Sequence, residues 1–123
     1  MKDTATLALR SRRFMAFASL LAVCAVTLAA AEQTFTAKVS GNCGSCKKRI
    51  VKAAKSVDGV ATADWDKKTK QLSVTFEDTK TSSTKILQAV VAAGHDADTL
   101  KASPEVYKDL PECCLYRDNA KTH

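Results

Sequence analysis

The chain lacks the residue sets that most catalysis requires. No Ser–His–Asp set, glycine-rich phosphate loop or array of paired carboxylates is present, and 123 residues include only two histidines and four glycines. Ordinary hydrolytic and phosphoryl-transfer chemistry is thereby set aside. Aromatic residues make up 6% of the chain and no basic stripe is interleaved with them, so nucleic acid is not an expected partner. Internal repeats and low-complexity tracts are missing too. The longest apolar run, from Phe14 to about Leu28, falls short of the roughly 20 residues that a membrane span needs.

What the N-terminus does contain is the pattern of an export signal over residues 1–31. Lys2, Arg10, Arg12 and Arg13 form a positive region, the apolar run follows, and Ala29-Ala30-Ala31 offers small residues for cleavage before Glu32. Ser11-Arg12-Arg13-Phe14 resembles a twin-arginine motif without the usual residue after the pair, and an ordinary basic region is the simpler reading. Leu21-Ala22-Val23-Cys24 resembles a lipoprotein box, but Val23 is bulky for its position, so Cys24 is expected to leave with the signal. The segment holds four of the nineteen basic residues and one of the thirteen acids, which leaves the remainder at +3. A periplasmic or secreted protein is expected, with no stable membrane insertion once the signal is removed.

Residues 32–102 read as one domain. Phe35, Ala37 and Val39 alternate with polar neighbours as a half-buried strand. From Cys46 to Val57, Ile50, Ala53, Ala54 and Val57 share a helical face, and Asp58-Gly59 ends it. Val60 to Trp65 and the alternating Leu72, Val74 and Phe76 form a hairpin around Lys67-Lys68-Thr69-Lys70. Thr81, Ser82 or Ser83 caps a second helix with Ile86, Leu87, Val90 and Ala93 on its apolar face. Gly94 closes it, and His95 to Leu100 is expected to be the last strand. The order β-α-β-β-α-β implies an α+β sandwich, an antiparallel sheet with both helices on one face. Residues 103–123 are a tail: Ser103-Pro104-Glu105 opens a short helix, Pro111 limits it, and Cys113-Cys114 follows. Val106, Tyr107, Leu110, Leu115 and Tyr116 can fasten this tail to the domain.

The chemistry concentrates in Cys43-Gly44-Ser45-Cys46. Two intervening residues let both sulfurs converge, and the adjoining helix N-terminus favours thiolates. Two thiolates without hard oxygen ligands suit a soft cation, Cu(I) above all, with Zn(II), Cd(II) or Hg(II) as alternatives. Spacing alone leaves open a structural disulfide, a dithiol–disulfide redox centre, or half of a zinc site. The four cysteines after residue 31 would allow three disulfide pairings.

The run Val39-Ser40-Gly41-Asn42-Cys43-Gly44-Ser45-Cys46 resembles the metal loop of heavy-metal-associated domains, which include copper chaperones, modules of copper-pumping ATPases and periplasmic mercury-binding proteins. The similarity continues through Val57-Asp58-Gly59-Val60 to Ala93-Gly94-His95-Asp96-Ala97. It implies a ferredoxin-like fold, Cys43 and Cys46 as metal ligands, and ion transfer, storage or detoxification with a transporter or metal-binding domain as exchange partner. Two departures stand out. The family's methionine two residues before the first cysteine is Gly41 here, which suggests a looser loop, and the tail is additional.

His95 lies where the family often has an aromatic residue or lysine near the metal, and its neutral imidazole is a conditional third ligand or a plain loop residue. His123 is terminal and is expected to be disordered. Cys113 and Cys114 are further conditional ligands; as neighbours about 3.8 Å apart at Cα they are too close for an unstrained bond to each other. Disulfide pairing with other cysteines or a second metal are the alternatives. Trp65 is read as a packing residue, and Lys47-Lys48-Arg49 as a solvated face or a docking surface for an acidic partner. Non-metal alternatives are a thiol–disulfide redox protein using Cys43 and Cys46, or a disulfide-stapled interaction module.

Overall fold

A computed structural model describes residues 31–118. The readings of the export signal, the twin-arginine pair, Cys24 and His123 lie outside them.

Three strands form one sheet: β1 (Glu32–Lys38), β2 (Val60–Trp65) and β3 (Gln71–Glu77), in the order β1-β3-β2 with both pairs antiparallel. The alternation read from the sequence decides which face is covered. Ala37, Leu72, Val74 and Phe76 are buried, and the register sets Ala37 opposite Leu72 and Trp65 opposite Leu72 from the other side. A register shift between Val60 and Thr62 loosens the start of β2.

Helix α1 (Gly44–Lys55) lays Cys46, Ile50 and Ala54 onto the core at four-residue spacing. It packs against β2 and against α2 (Ser83–Ala92), whose Ile86 and Val90 are fully buried. Of the three candidate caps for α2, Ser82 is the one used: its hydroxyl accepts the Lys85 N–H at 3.4 Å. Gly94, at φ +106°, then turns the chain away.

The last strand is the element that differs. Between His95 and Leu100 only Ala97 bridges Val39, and it pairs again with Leu100 in a tight return. Asp98 takes a left-handed φ of 54°, which an extended strand does not allow but an aspartate tolerates. The Asp98 N–H still donates to the Lys38 carbonyl at 2.8 Å, so the segment lies beside β1 without forming a ladder.

The tail folds onto this end of the domain. Helix α3 (Pro104–Lys108) has Ser103 as N-cap and Pro104 at its first position, and two 3-10 turns follow, Glu112–Cys114 and Tyr116–Asp118. Tyr107 and Leu110 are buried. A Cβ at Gly94 would stand 2.9 Å from Leu110 Cδ2, so the tail requires glycine there twice over, for its φ and for its lack of a side chain. The Tyr116 hydroxyl donates to the Gly94 carbonyl and accepts from the Asp96 N–H, both at 2.9 Å. Arg117 Nη2 reaches Asp96 Oδ1 at 2.6 Å and the Ala102 carbonyl at 2.9 Å.

Burial opposes the Asp96 charge, but Arg117, the Ala102 N–H and Lys101 together hold its carboxyl below the usual range. A depressed carboxylate stabilises the fold above its unfolded pKa, and that contribution is lost as pH falls through the folded value. Arg117→Ala is expected to cost on the order of 2 kcal/mol at pH 7. The gap between variant and parent should narrow below pH about 4 as Asp96 protonates in the parent. Denaturant melts at pH 7 and pH 3 read this directly; an equal gap at both would rule out the charged pair as its source.

Candidate metal centre

Val39 directly follows β1, with its carbonyl accepting the Trp65 indole N–H at 3.1 Å and its own N–H donating to the Lys70 carbonyl at 2.8 Å. The loop that follows is therefore clamped at its root. Gly41 is where the resemblance suggested looseness, and the structure shows the opposite. A Cβ there would meet Cys46 Cβ and Trp65 Cη2, each at 3.0 Å, so the fully buried indole fills the space beneath the loop. Lys70 Nζ donates to the Gly41 carbonyl at 2.6 Å while lying over the indole ring.

Cys43 is the N-cap of α1, extended at φ −143°, and Cys46 lies in the first helical turn. The Asn42 N–H points at Cys46 Sγ from 3.3 Å, and the two sulfurs are 3.5 Å apart. The tail brings its own thiols to the same place. Cys43 Sγ is 3.3 Å from Cys113 Sγ and 3.7 Å from Cys114 Sγ, and the tail pair is separated by 3.9 Å. Cys43, Cys113 and Cys114 together form a group whose ligand atoms all lie within 4.8 Å of one another. All four are free thiols.

The thiols are electrostatically unequal. Burial works against a charge on Cys43, yet the Cys46 N–H and the surrounding thiols outweigh it and bring the pKa down to about 7. Burial pushes Cys114 strongly upward, and its hydrogen bonds to Cys46 and Cys43 add to that. Cys113 is raised by its contact with Cys43 first and by burial second. Of Cys43, Cys113 and Cys114, Cys43 is thus the one that ionises most readily.

His95 lies outside the three-thiol group. It is fully buried, stacked on Tyr116, with Nδ1 2.8 Å from the Ser40 carbonyl. A carbonyl only accepts, so Nδ1 carries the proton, and Nε2 keeps a buried lone pair with no partner. Burial lowers its pKa and keeps the ring neutral. The sequence reading overlooked Lys70, Asp96 and Arg117. Lys70 read only as the last residue of a polar, lysine-rich turn, and the Asp96–Arg117 pair spans 21 residues without any local pattern.

The heavy-metal-associated domain profile matches residues 36–96. A mercuric transport protein periplasmic component of Pseudomonas aeruginosa is 42% identical over 81 residues, 64% of this chain and 89% of that one. The copper chaperone CopZ of Staphylococcus aureus (strain JH9) is 33% identical over 55 residues, 45% of this chain and 81% of its own. Among solved structures, oxidized MerP from Ralstonia metallidurans CH34 superposes with a TM-score of 0.53 at 39% identity, covering 55% of this chain and 96% of MerP. A small metal-binding domain of ferredoxin-like fold is the class that sheet, helices and thiol loop define. The chain belongs to the heavy-metal-associated domain family.

Proposed function

We propose that the protein is exported through residues 1–31, takes up a soft metal ion at Cys43 and Cys46, and passes it to the thiolates of a partner such as a transporter or another metal-binding domain. The observation that carries this reading is the pair of sulfurs 3.5 Å apart at the N-terminus of α1, with one thiol already near neutrality in its pKa. Transfer proceeds by ligand exchange: an incoming thiolate bonds the ion as one of this chain's cysteines leaves and regains a proton. The ion's oxidation state does not change.

Hg(II) is the first cargo, supported by the identity with periplasmic mercuric transport proteins. Those relatives also support a periplasmic location. Cu(I), which two thiolates alone would favour, is the second reading, supported by the likeness to CopZ. His95 is the reserve donor, its Nε2 lone pair free while Nδ1 holds the loop through Ser40.

Anaerobic titration of the reduced protein with Hg(II) and with Cu(I), each against a competing chelator, tests this. One ion should bind per chain, with binding abolished in a Cys43→Ser/Cys46→Ser variant. X-ray absorption should show sulfur neighbours, and a nitrogen neighbour would bring in His95. A protein that competes for neither ion while its cysteines cycle readily between dithiol and disulfide is a redox protein instead.

A further inference from the structure

Cys113 and Cys114 fall beyond the residues matched by the family profile, and a two-thiolate transfer loop does not need them. We propose that residues 103–118 are a clasp that adds these thiolates to the ion held by Cys43 and Cys46, making a closed site of three or four sulfurs suited to a divalent thiophilic cation. This deepens the metal-binding reading above and rests on it.

The sulfur spacing is the first support. Thiolates about 2.3 Å from a shared ion stand roughly 3.8–4.0 Å apart in trigonal or tetrahedral geometry, against about 4.6 Å in a linear pair. Cys43 Sγ lies 3.5, 3.3 and 3.7 Å from those of Cys46, Cys113 and Cys114, and the tail pair is 3.9 Å apart, all on the compact side. Cys46 stands outside the group formed by Cys43, Cys113 and Cys114 and must close in for a fourth sulfur to bind. A second support is that the fold places the tail. Tyr116 bonds both Gly94 and Asp96, Arg117 bonds Asp96 and Ala102, and Leu110 seats against Gly94. None of these contacts needs a metal.

Access is the third. Cys46 and Cys114 are fully buried and Cys43 is 4% exposed, although a transfer loop must admit a partner's sulfur. The tail's vicinal thiols take up that approach, so the chain supplies from within the additional sulfur that a partner would bring. Charge then selects the ion. Three thiolates around a divalent cation leave one net negative charge in a buried site, and around Cu(I) they leave two. Each tail cysteine that binds releases its proton to solvent, and takes one back when it is displaced.

The test loads the reduced, metal-free protein anaerobically with one equivalent of Hg(II). X-ray absorption should count three or four sulfurs. Alkylation read by peptide mass spectrometry should find the Cys113–Cys114 peptide at least tenfold slower to react than without metal. In a Cys113→Ser/Cys114→Ser variant the count should fall to two, and Hg(II) should pass to a competing dithiol at least tenfold faster. Cd(II) should protect the tail peptide as Hg(II) does, and Cu(I) should protect it less. Equal protection by Cu(I) would remove the preference for divalent ions. Two sulfurs and a fully reactive tail peptide in the parent protein, with binding still dependent on Cys43 and Cys46, would overturn the clasp and leave the proposed function intact. No Hg(II) binding would remove the clasp, and binding of neither Hg(II) nor Cu(I) would remove the proposed function as well. The alkylation result stands on the parent protein alone, whatever the variant's folding.

Discussion

Cys43→Ser is expected to lower Hg(II) affinity roughly a hundred- to thousandfold while making the metal-free protein slightly more stable. The loss follows from position. Cys43 Sγ lies within 3.7 Å of each of the other three sulfurs, so it is the hub of the cluster. A structural thiolate site holds its ion by an apparent ~10–16 kcal/mol, so one of the four proposed ligands accounts for roughly 2.5–4 kcal/mol. Serine cannot replace it, because its harder and protonated oxygen is a poor ligand for a soft cation.

The gain follows from the helix. Cys43 is an N-cap whose side chain makes no capping hydrogen bond, and serine is among the preferred residues there. About 0.5–1 kcal/mol of added stability is expected in the apo state. Competition titration and denaturant melts on the same preparation read the two signs together. Reduced affinity accompanied by reduced apo stability would mean that Cys43 is a packing residue whose loss damages the loop.

Trp65→Ala should be the most damaging single substitution in the domain, at about 3–5 kcal/mol. Its indole is fully buried, bonds the Val39 carbonyl, and occupies the space beneath the metal loop. The same contact predicts a coupling. Gly41→Met alone should destabilise, because its Cβ must displace atoms 3.0 Å away on Cys46 and Trp65. Paired with Trp65→Leu, which vacates that space, the methionine should fit, and the double variant should be more stable than the sum of the singles by about 1–2 kcal/mol. A double-mutant cycle by chemical denaturation measures this. Strict additivity would mean that Gly41 and Trp65 do not share the space.

Much of this arrangement was legible from local pattern. Phe35–Ala37–Val39 and Leu72–Val74–Phe76 alternate because one sheet face is covered, and Cys46, Ile50 and Ala54 recur at helical spacing because one side of α1 meets the core. Ser103-Pro104 announced its helix for equally local reasons. What failed depended on contacts between distant parts of the chain. His95–Leu100 has the length of a strand, but a single left-handed residue, Asp98, folds it back on itself. The glycine at 41 suggested slack only because Trp65, distant in sequence, could not be placed under it. The thiol group was half legible: Cys-x-x-Cys carries its own geometry, but the meeting of residue 43 with 113 and 114 depends on Tyr116 and Arg117 gripping the Gly94–Asp96 loop.

That grip also bears on competition with small thiols in the surroundings. Thiols on the same chain act at an effective concentration set by the tether, of order millimolar even for a flexible link. A tail held by Arg117 and Tyr116 has less freedom than a flexible link, so its local concentration at Cys43 is higher still. A free thiol below that level loses the contest for the ion by mass action. A partner protein is spared it only if its docking first pulls the tail away.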